Sequence, residues 1–218
     1  MTTETVTTTT EPAATTDSSM PAGGLSAAVS YWGLHAWILG YCVVMLAAFY
    51  IQFAMGEFPC PLCMLQRYGM ILSSLGALFV IMQARRGTLT ASRYAQGLGM
   101  GLLGALTGAP VSVRQIELHI KPGDPGYGEP VLGLHLYTWA LITFVIVMIY
   151  VGAALMVMPR SIPAAPAAGT LGRTASTLVV WLFIAVVAAN VVAIIFLEGF
   201  AGVLPDDPAG YHLIEQFR

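Results

Sequence analysis

Long apolar runs alternate with short polar connections along most of this chain. Five runs are mainly apolar, and each is long enough to cross a bilayer as a helix, which takes roughly 20 residues. Lipid offers the backbone no hydrogen-bond partners, so these runs are predicted to be helices and not strands. The third run carries Gly97, Gly101, Gly104 and Gly108 at helical spacing, which favours close packing against another helix. The expected fold is an all-α polytopic membrane helix bundle, with helices near residues 33–55, 62–82, 95–116, 132–158 and 174–197.

The first part of the chain lacks this pattern. It is rich in Thr, Ala, Ser and Pro, and its only charged residues are Glu4, Glu11 and Asp17. A segment with so little apolar surface cannot offset the entropy that it loses on ordering, so it is predicted to be a disordered tail. The expected organisation is this tail, a five-helix transmembrane domain and a carboxyl-terminal tail, at residues 1–30, 31–197 and 198–218.

The charges in the connections predict the orientation in the membrane. Arginines lie after the second and fourth runs, whereas acidic residues dominate the other side. Because short loops rich in Lys and Arg stay in the cytoplasm, the amino-terminal tail is expected inside and the carboxyl-terminal tail outside. In a bacterial inner membrane the outer side is the oxidising periplasm. The residues behind this prediction are Arg85, Arg86, Arg93, Arg160 and Arg173 inside, and Glu57, Glu117, Asp124 and Glu129 outside.

Composition argues against two broad classes of protein, soluble domains and nucleic-acid-binding proteins. Hydrophobic residues make up 57% of the chain, charged residues only 9%, and the mean hydropathy is +0.76. Soluble domains carry about 25% charged residues, so a water-solvated surface is not expected and membrane lipid is the surrounding medium. The net charge of −2 provides no basic surface for nucleic acid.

A Cys-Pro-Leu-Cys turn opens the second helix on the predicted periplasmic side. Pro61 suits the first helical position, which places Cys60 at the N-cap and Cys63 in the first turn. Free N–H groups and the helix dipole favour a thiolate there, and Arg67 adds a positive charge on the same helix face. The pattern therefore favours redox chemistry. Two alternatives are an inert structural disulfide and half of a zinc site, although structural zinc usually takes four ligands.

The segment around this turn resembles the DsbB family of bacterial inner-membrane thiol:quinone oxidoreductases. The resemblance rests on Pro59-Cys60-Pro61-Leu62-Cys63 followed by Gln66-Arg67-Tyr68, and it extends over roughly the first four helices. It implies a DsbB-like four-helix core, to which this chain adds a fifth helix. It also implies a membrane quinone, ubiquinone or menaquinone, as cofactor and a periplasmic thioredoxin-fold thiol oxidase, similar to DsbA, as partner.

The resemblance further implies a role for each residue of the motif. Cys60 would form the mixed disulfide with an incoming thiol, and Cys63 would face the quinone as a thiolate. Arg67 would polarise a quinone oxygen, and Gln66 beside it is expected to belong to the same cofactor-binding group. Electrons would then pass from a periplasmic dithiol through Cys60 and Cys63 to the quinone.

The chain departs from the family in one respect. DsbB proteins carry a second cysteine pair in the outer loop between helices three and four, whereas this loop has none, and the only remaining cysteine is Cys42. Three explanations are open: direct oxidation of the partner, a separate dithiol-supplying subunit, or loss of dithiol oxidation. The last would make the chain a non-catalytic quinone-binding or assembly subunit with a structural Cys-x-x-Cys pair.

Two histidines flank the same outer loop. His119 and His135 lie at the ends of helices three and four, and they are predicted to bind the quinone headgroup or exchange its protons, since histidine titrates near neutrality. A heme or metal pair is a further possibility. The alternative is that both are interfacial residues that hold the loop.

Overall fold

The part of the protein that the structure describes is helical apart from the connections between helices. A computed structural model describes residues 24–158, 160–199 and 210–217. The only extended pairing in these ranges is one isolated antiparallel bridge between Val131 and Leu134, so the expected all-α fold is confirmed. The helices are α1 (Leu25–Ala54), α2 (Pro61–Arg85), α3 (Ala91–Leu118), α4 (Leu136–Val157), α5 (Leu171–Glu198) and α6 (His212–Gln216).

Four of the helices, α1, α2, α4 and α5, are long and apolar enough to cross a membrane. The chain is therefore a multi-pass helical membrane protein. The remaining long helix, α3, has 28 residues but is less apolar, because Gly, Ser, Thr and Gln occupy many of its positions. It runs antiparallel to α2 along that whole helix, with Gln115 beside Cys63 at one end and Gly97 beside Val80 at the other. The crossing by α3 remains a prediction, which this alignment supports.

Glycines allow α2 and α3 to approach closely. A Cβ atom at Gly76 would collide with the backbone of Gly97 and Gly101, and one at Gly104 would collide with the backbone of Ser73. The hydroxyl of Ser73 donates a hydrogen bond to the Gly101 carbonyl oxygen at 2.9 Å. Small residues at such an interface let the two helix backbones come into contact, which is the usual means of helix association in lipid.

Four helices, α1, α3, α4 and α5, begin three or more residues from the predicted starts of their apolar runs, and α1 and α4 show why. The first, α1, begins at Leu25, so residues 25–30 are helical although their composition resembles that of the tail; residues 1–23 lie outside the described part of the chain. The fourth, α4, begins at Leu136 and not at 132. Leu132 and Gly133 have φ angles of 53° and 81°, which a right-handed helix cannot contain.

Polar contacts attach α5 to the bundle at the end predicted to be cytoplasmic. The Ser176 hydroxyl lies 2.7 Å from the Tyr31 hydroxyl and 2.9 Å from Nε2 of His35. Arg85 donates a hydrogen bond to the Thr177 hydroxyl at 2.8 Å. These contacts join one end of the fifth helix to α1 and α2.

At the opposite end, two segments hold the turn that precedes α2. The Tyr127 hydroxyl, in the α3–α4 connection, donates to the Phe58 carbonyl oxygen. The Glu129 N–H donates to the Glu57 carboxylate at 3.1 Å. The ring of Tyr211, just before α6, packs edge-on against Phe58 with 5.0 Å between centroids. Of the predicted carboxyl-terminal tail, residues 200–209 lie outside the described residues.

Candidate active site

The Cys-Pro-Leu-Cys turn starts α2 as the sequence predicts. Cys60 is the N-cap residue, with extended backbone angles, and Pro61 follows at the first helical position. The Cys60 sulfur accepts a hydrogen bond from the backbone N–H of Cys63 at 3.3 Å. The sulfur thus takes the place of the oxygen that usually caps a helix, and both cysteines lie at the positive end of the helix dipole.

The two sulfurs are close enough to react with each other. Their separation is 2.9 Å, and a small side-chain rotation would bring them to the disulfide bond length of about 2.05 Å. Cys60 is only 7% exposed, whereas Cys63 is half-buried. The hydrogen bond to Cys63, together with burial, raises the pKa of the Cys60 thiol.

An amide from α3 contacts both sulfurs. Nε2 of Gln115 lies 3.4 Å from the Cys60 sulfur and 3.3 Å from the Cys63 sulfur. Nε2 of Gln66, one turn into α2, donates to Oε1 of Gln115 at 2.7 Å. Both glutamines are buried. The pair of amides therefore links the sulfurs to the interior of the α2–α3 interface.

Arg67 is a buried cation held by neutral groups. Its Nη1 donates to Oε1 of Gln52 at 3.1 Å and to Oδ1 of Asn190 at 3.5 Å, and its guanidinium lies 5.1 Å from the centroid of the Phe49 ring. Arg67 is only 4% exposed, and no described carboxylate forms an ion pair with it. The side-chain N–H groups of Gln52 and Asn190 have no acceptor among the described residues. The cluster thus offers positive charge and hydrogen-bond donors without a counter-ion.

Cys63 and Arg67 line the same cleft. The cleft opens to solvent, and the space between its lining atoms, including that open mouth, is about 610 Å³. The α1 side of the cleft is apolar, and the mouth is polar. Besides Cys63, Gln66 and Arg67, the lining comprises Val44, Met45, Ala48 and Ile51 from α1, Met70 from α2, Leu136, Tyr137 and Ala140 from α4, and the connecting residues Glu57, Phe58, Pro59, Tyr127, Gly128 and Glu129.

The two histidines lie behind this lining. His119 is the C-cap of α3 and His135 the N-cap of α4, and neither contributes to the cleft wall. Both rings stack on Tyr137, at centroid distances of 5.9 Å and 5.2 Å, and Tyr137 does line the cleft. Nδ1 of His135 bonds the Gly128 carbonyl oxygen at 2.9 Å, and Nδ1 of His119 lies 3.1 Å from the Asp124 carboxylate. A role of these histidines in binding a quinone remains a prediction.

The sequence patterns do not assign three residues to this site. Gln52, Gln115 and Asn190 come from α1, α3 and α5, and each approaches a sulfur or Arg67 only in the folded bundle. The signal available in the sequence is an amide side chain within an apolar run, where a polar group has to find its partner inside the bundle. That signal predicts a buried contact but does not specify its partner.

Fold and site together define a polytopic α-helical membrane protein with a cysteine pair at a helix N-terminus, beside an apolar cleft that contains a buried arginine. The chain belongs to the family described as disulfide bond formation protein DsbB, whose family model matches residues 30–154, more than half of the chain. The match covers most of α1, all of α2 and α3 and most of α4, and it leaves α5 outside.

Curated relatives carry the same family description. Disulfide bond formation protein B of Chromobacterium violaceum is 40% identical over 77 residues, which is 35% of this chain and 44% of that protein. A Pseudomonas fluorescens protein, disulfide bond formation protein B 1, is 30% identical over 50% of this chain and 80% of its own length. Disulfide bond formation protein B 2 of Burkholderia lata is 31% identical over 56% of this chain and 86% of its own length. No solved structure matches the chain.

Proposed function

We propose that this protein is an inner-membrane thiol:quinone oxidoreductase that takes electrons from a periplasmic dithiol partner through Cys60 and Cys63. The observation that carries the proposal is that Cys63 and Arg67 line one cleft. An electron donor and a fixed cation therefore border the same space. The partner would be a DsbA-like thiol oxidase with a thioredoxin fold, the class implied by the family.

The cleft has the chemistry that a quinone requires. Its apolar wall suits a ring and tail, and Arg67, without a counter-ion among the described residues, suits a carbonyl oxygen that gains negative charge. When bound, ubiquinone or menaquinone would supply the acceptor for two electrons and two protons. Gln66 lines the same cleft, and Tyr137 presents a ring there that the two histidines support from behind.

The cysteines perform the thiol half of the reaction. A thiolate of the partner attacks the Cys60 sulfur of the disulfide form, the Cys60–Cys63 bond breaks, and its electron pair leaves on Cys63. A second partner thiolate then attacks the mixed disulfide and releases Cys60. The partner dithiol has lost two electrons and become a disulfide, and the Cys60–Cys63 pair has gained those two electrons.

Direct exchange of this kind accounts for the missing second cysteine pair, and a separate dithiol-supplying subunit is the other route. Cys60 is 7% exposed, so direct attack requires the turn before α2 to open. Hydrogen bonds from Tyr127 and Glu129 and the contact of Phe58 with Tyr211 hold that turn.

Trapping of the mixed disulfide tests direct exchange. Cys63→Ala leaves Cys60 as a free thiol without a neighbouring sulfur. We expect its thiolate to attack a thioredoxin-fold partner whose second cysteine is replaced and whose first cysteine carries a thionitrobenzoate disulfide. Thionitrobenzoate should be released, and Cys60 should stay joined to the partner. The control Cys60→Ala should trap nothing, and Cys42→Ala should behave as the unaltered protein. Absence of a Cys60 adduct at high partner concentration would contradict direct exchange.

The burial of Cys60 also favours a second candidate function, a non-catalytic quinone-binding or assembly subunit. In that case the cysteine pair would be a structural crosslink. The two functions differ in redox behaviour: a structural bond would stay oxidised under mild reductant, whereas the proposed oxidoreductase would be reduced by it and reoxidised by quinone.

A further inference from the structure

We propose that Gln115 is a catalytic hydrogen-bond donor that stabilises the sulfur displaced from the Cys60–Cys63 disulfide, and that Gln66 sets the orientation in which Gln115 donates. This proposal rests on the proposed thiol exchange and names a residue of α3 for it. The two buried amides act together: Gln115 contacts the reacting sulfurs, and Gln66 orients Gln115.

The first observation is the position of the Gln115 amide. Nε2 lies 3.3 Å from the Cys63 sulfur and 3.4 Å from the Cys60 sulfur, and the sulfurs are 2.9 Å apart, so one N–H of the amide is shared between them. Its oxygen is farther from the Cys63 sulfur, at 3.8 Å. Gln115 is 1% exposed, so water does not compete for these hydrogens.

The second observation is the orientation of that amide. An amide turned by 180° would present its oxygen to the sulfurs and would repel a thiolate. Nε2 of Gln66 donates to Oε1 of Gln115 at 2.7 Å, which turns the oxygen toward Gln66 and leaves the NH2 group nearer the Cys63 sulfur than the oxygen is. Gln66 is itself 4% exposed and is carried by α2, one turn beyond Cys63. The orientation is therefore built into the α2–α3 interface.

The hydrogen bond from Gln115 to Cys63 strengthens as negative charge develops on the Cys63 sulfur. In the disulfide both sulfurs are neutral and accept hydrogen bonds weakly. When a thiolate of the partner bonds to Cys60 and the Cys60–Cys63 bond breaks, the electron pair moves to Cys63, and the same N–H then donates to an anion. A donor in place before the reaction favours the charged product over the ground state. Because it stabilises the reduced form, the donor makes the disulfide a stronger oxidant.

The redox equilibrium of the Cys60–Cys63 pair with glutathione tests this role, and it requires neither quinone nor protein partner. We expect Gln115→Leu to make the disulfide roughly tenfold harder to reduce, equivalent to about 30 mV. The near-isosteric Gln115→Glu should shift the equilibrium at least as far, since a carboxylate repels the thiolate. Gln96→Leu, at an exposed position near the other end of α3, is the matched control and should leave the equilibrium unchanged.

Gln66→Glu tests the orientation without altering Gln115. A carboxylate can only accept, so the Gln115 amide should turn its NH2 group toward it and its oxygen toward the sulfurs. The disulfide should again become harder to reduce, by a similar factor, while Gln66→Leu should have a smaller effect. Thermal unfolding of each variant shows that it is folded.

The proposal is overturned if folded Gln115→Leu and Gln66→Glu proteins both keep the glutathione equilibrium of the unaltered protein. Failure of the proposed function has a different outcome, because the redox shift would persist while no mixed disulfide with a thioredoxin-fold partner formed.

Discussion

Cysteine, proline and glutamine side chains contribute to this site in different ways. Pro61 and Cys60 follow local rules, because a residue without an N–H fits the first helical position and the residue before it caps the helix. The positions of both sulfurs could therefore be predicted from neighbouring residues. Gln115 could not be assigned, because it lies 52 residues from Cys63 in the chain and meets it only through helix packing.

Asp124 provides a pH-dependent prediction at the residue scale. The backbone N–H of Gly126, followed by His119, holds the pKa of the Asp124 carboxyl below its ordinary value of 3.8. A lowered folded-state pKa stabilises the fold above the ordinary pKa, and this contribution is lost as the pH falls through the folded value. We expect Asp124→Asn to lower the apparent Tm at pH 7 and to converge on the unaltered protein as the pH falls below about 4.

Thermal unfolding in detergent across this pH range checks the prediction. Glu117→Gln is the control, because its pair with Arg114 is exposed and such pairs contribute little. A difference between Asp124→Asn and the unaltered protein that stays constant down to pH 2 would contradict the account.

Apolar runs predict the existence of the helices, but contacts decide where they end and how they pair. Leu132 belongs to an apolar run, yet its positive φ keeps it out of α4. The glycine spacing of α3 predicts a close helix contact, while the partner helix, α2, is known only from the fold. The pairing of Arg67 with Asn190 of α5 is likewise a property of the assembled bundle.

Two glycines of α3 provide a test of how closely α2 and α3 pack. A Cβ atom at Gly104 would meet the backbone of Ser73 and Leu72, which cannot move aside, whereas one at Gly99 meets open space. Gly104→Ala should destabilise the protein by roughly 1–3 kcal/mol. Gly99→Ala should leave stability unchanged or raise it by up to about 1 kcal/mol, since alanine favours helix. Thermal unfolding of the two variants in the same detergent compares them, and equal stabilities would show that the contact is not tight.

The contact between α5 and Arg67 predicts that α5 affects the KM for quinone. Asn190→Leu removes one of the two oxygens near the guanidinium, so we expect the KM for quinone to rise by roughly three- to tenfold, the effect of one hydrogen bond. Asn190→Asp should raise KM further, because its carboxylate would neutralise the charge. Steady-state quinone reduction measures both. If both variants kept the KM of the unaltered protein, α5 would have no part in the site.

The molecule as a whole combines a family core with a fifth helix. Residues 30–154 match the DsbB family, and α5 follows that match but contributes Asn190 beside Arg67. Helix content and membrane character could be predicted from hydropathy and length. Which side of the bundle faces the periplasm is still predicted from the arginine distribution.

Reporter fusions check this orientation. Alkaline phosphatase, which folds only in the periplasm, should be active when joined after Arg218, and a fluorescent protein that folds only in the cytoplasm should fluoresce when joined before Met1. The reverse pattern would place the Cys60–Cys63 turn in the cytoplasm and would rule out a periplasmic partner.

The central claim is that two electrons pass from a partner dithiol through Cys60 and Cys63 to quinone without a second cysteine pair. Quinone reduction by the detergent-purified protein, supplied with a reduced thioredoxin-fold partner, measures this directly. We expect one quinol for each partner disulfide formed, and no turnover in Cys63→Ala. Quinone that binds the unaltered protein but is not reduced at high partner concentration would contradict the claim, as would turnover that survives Cys63→Ala.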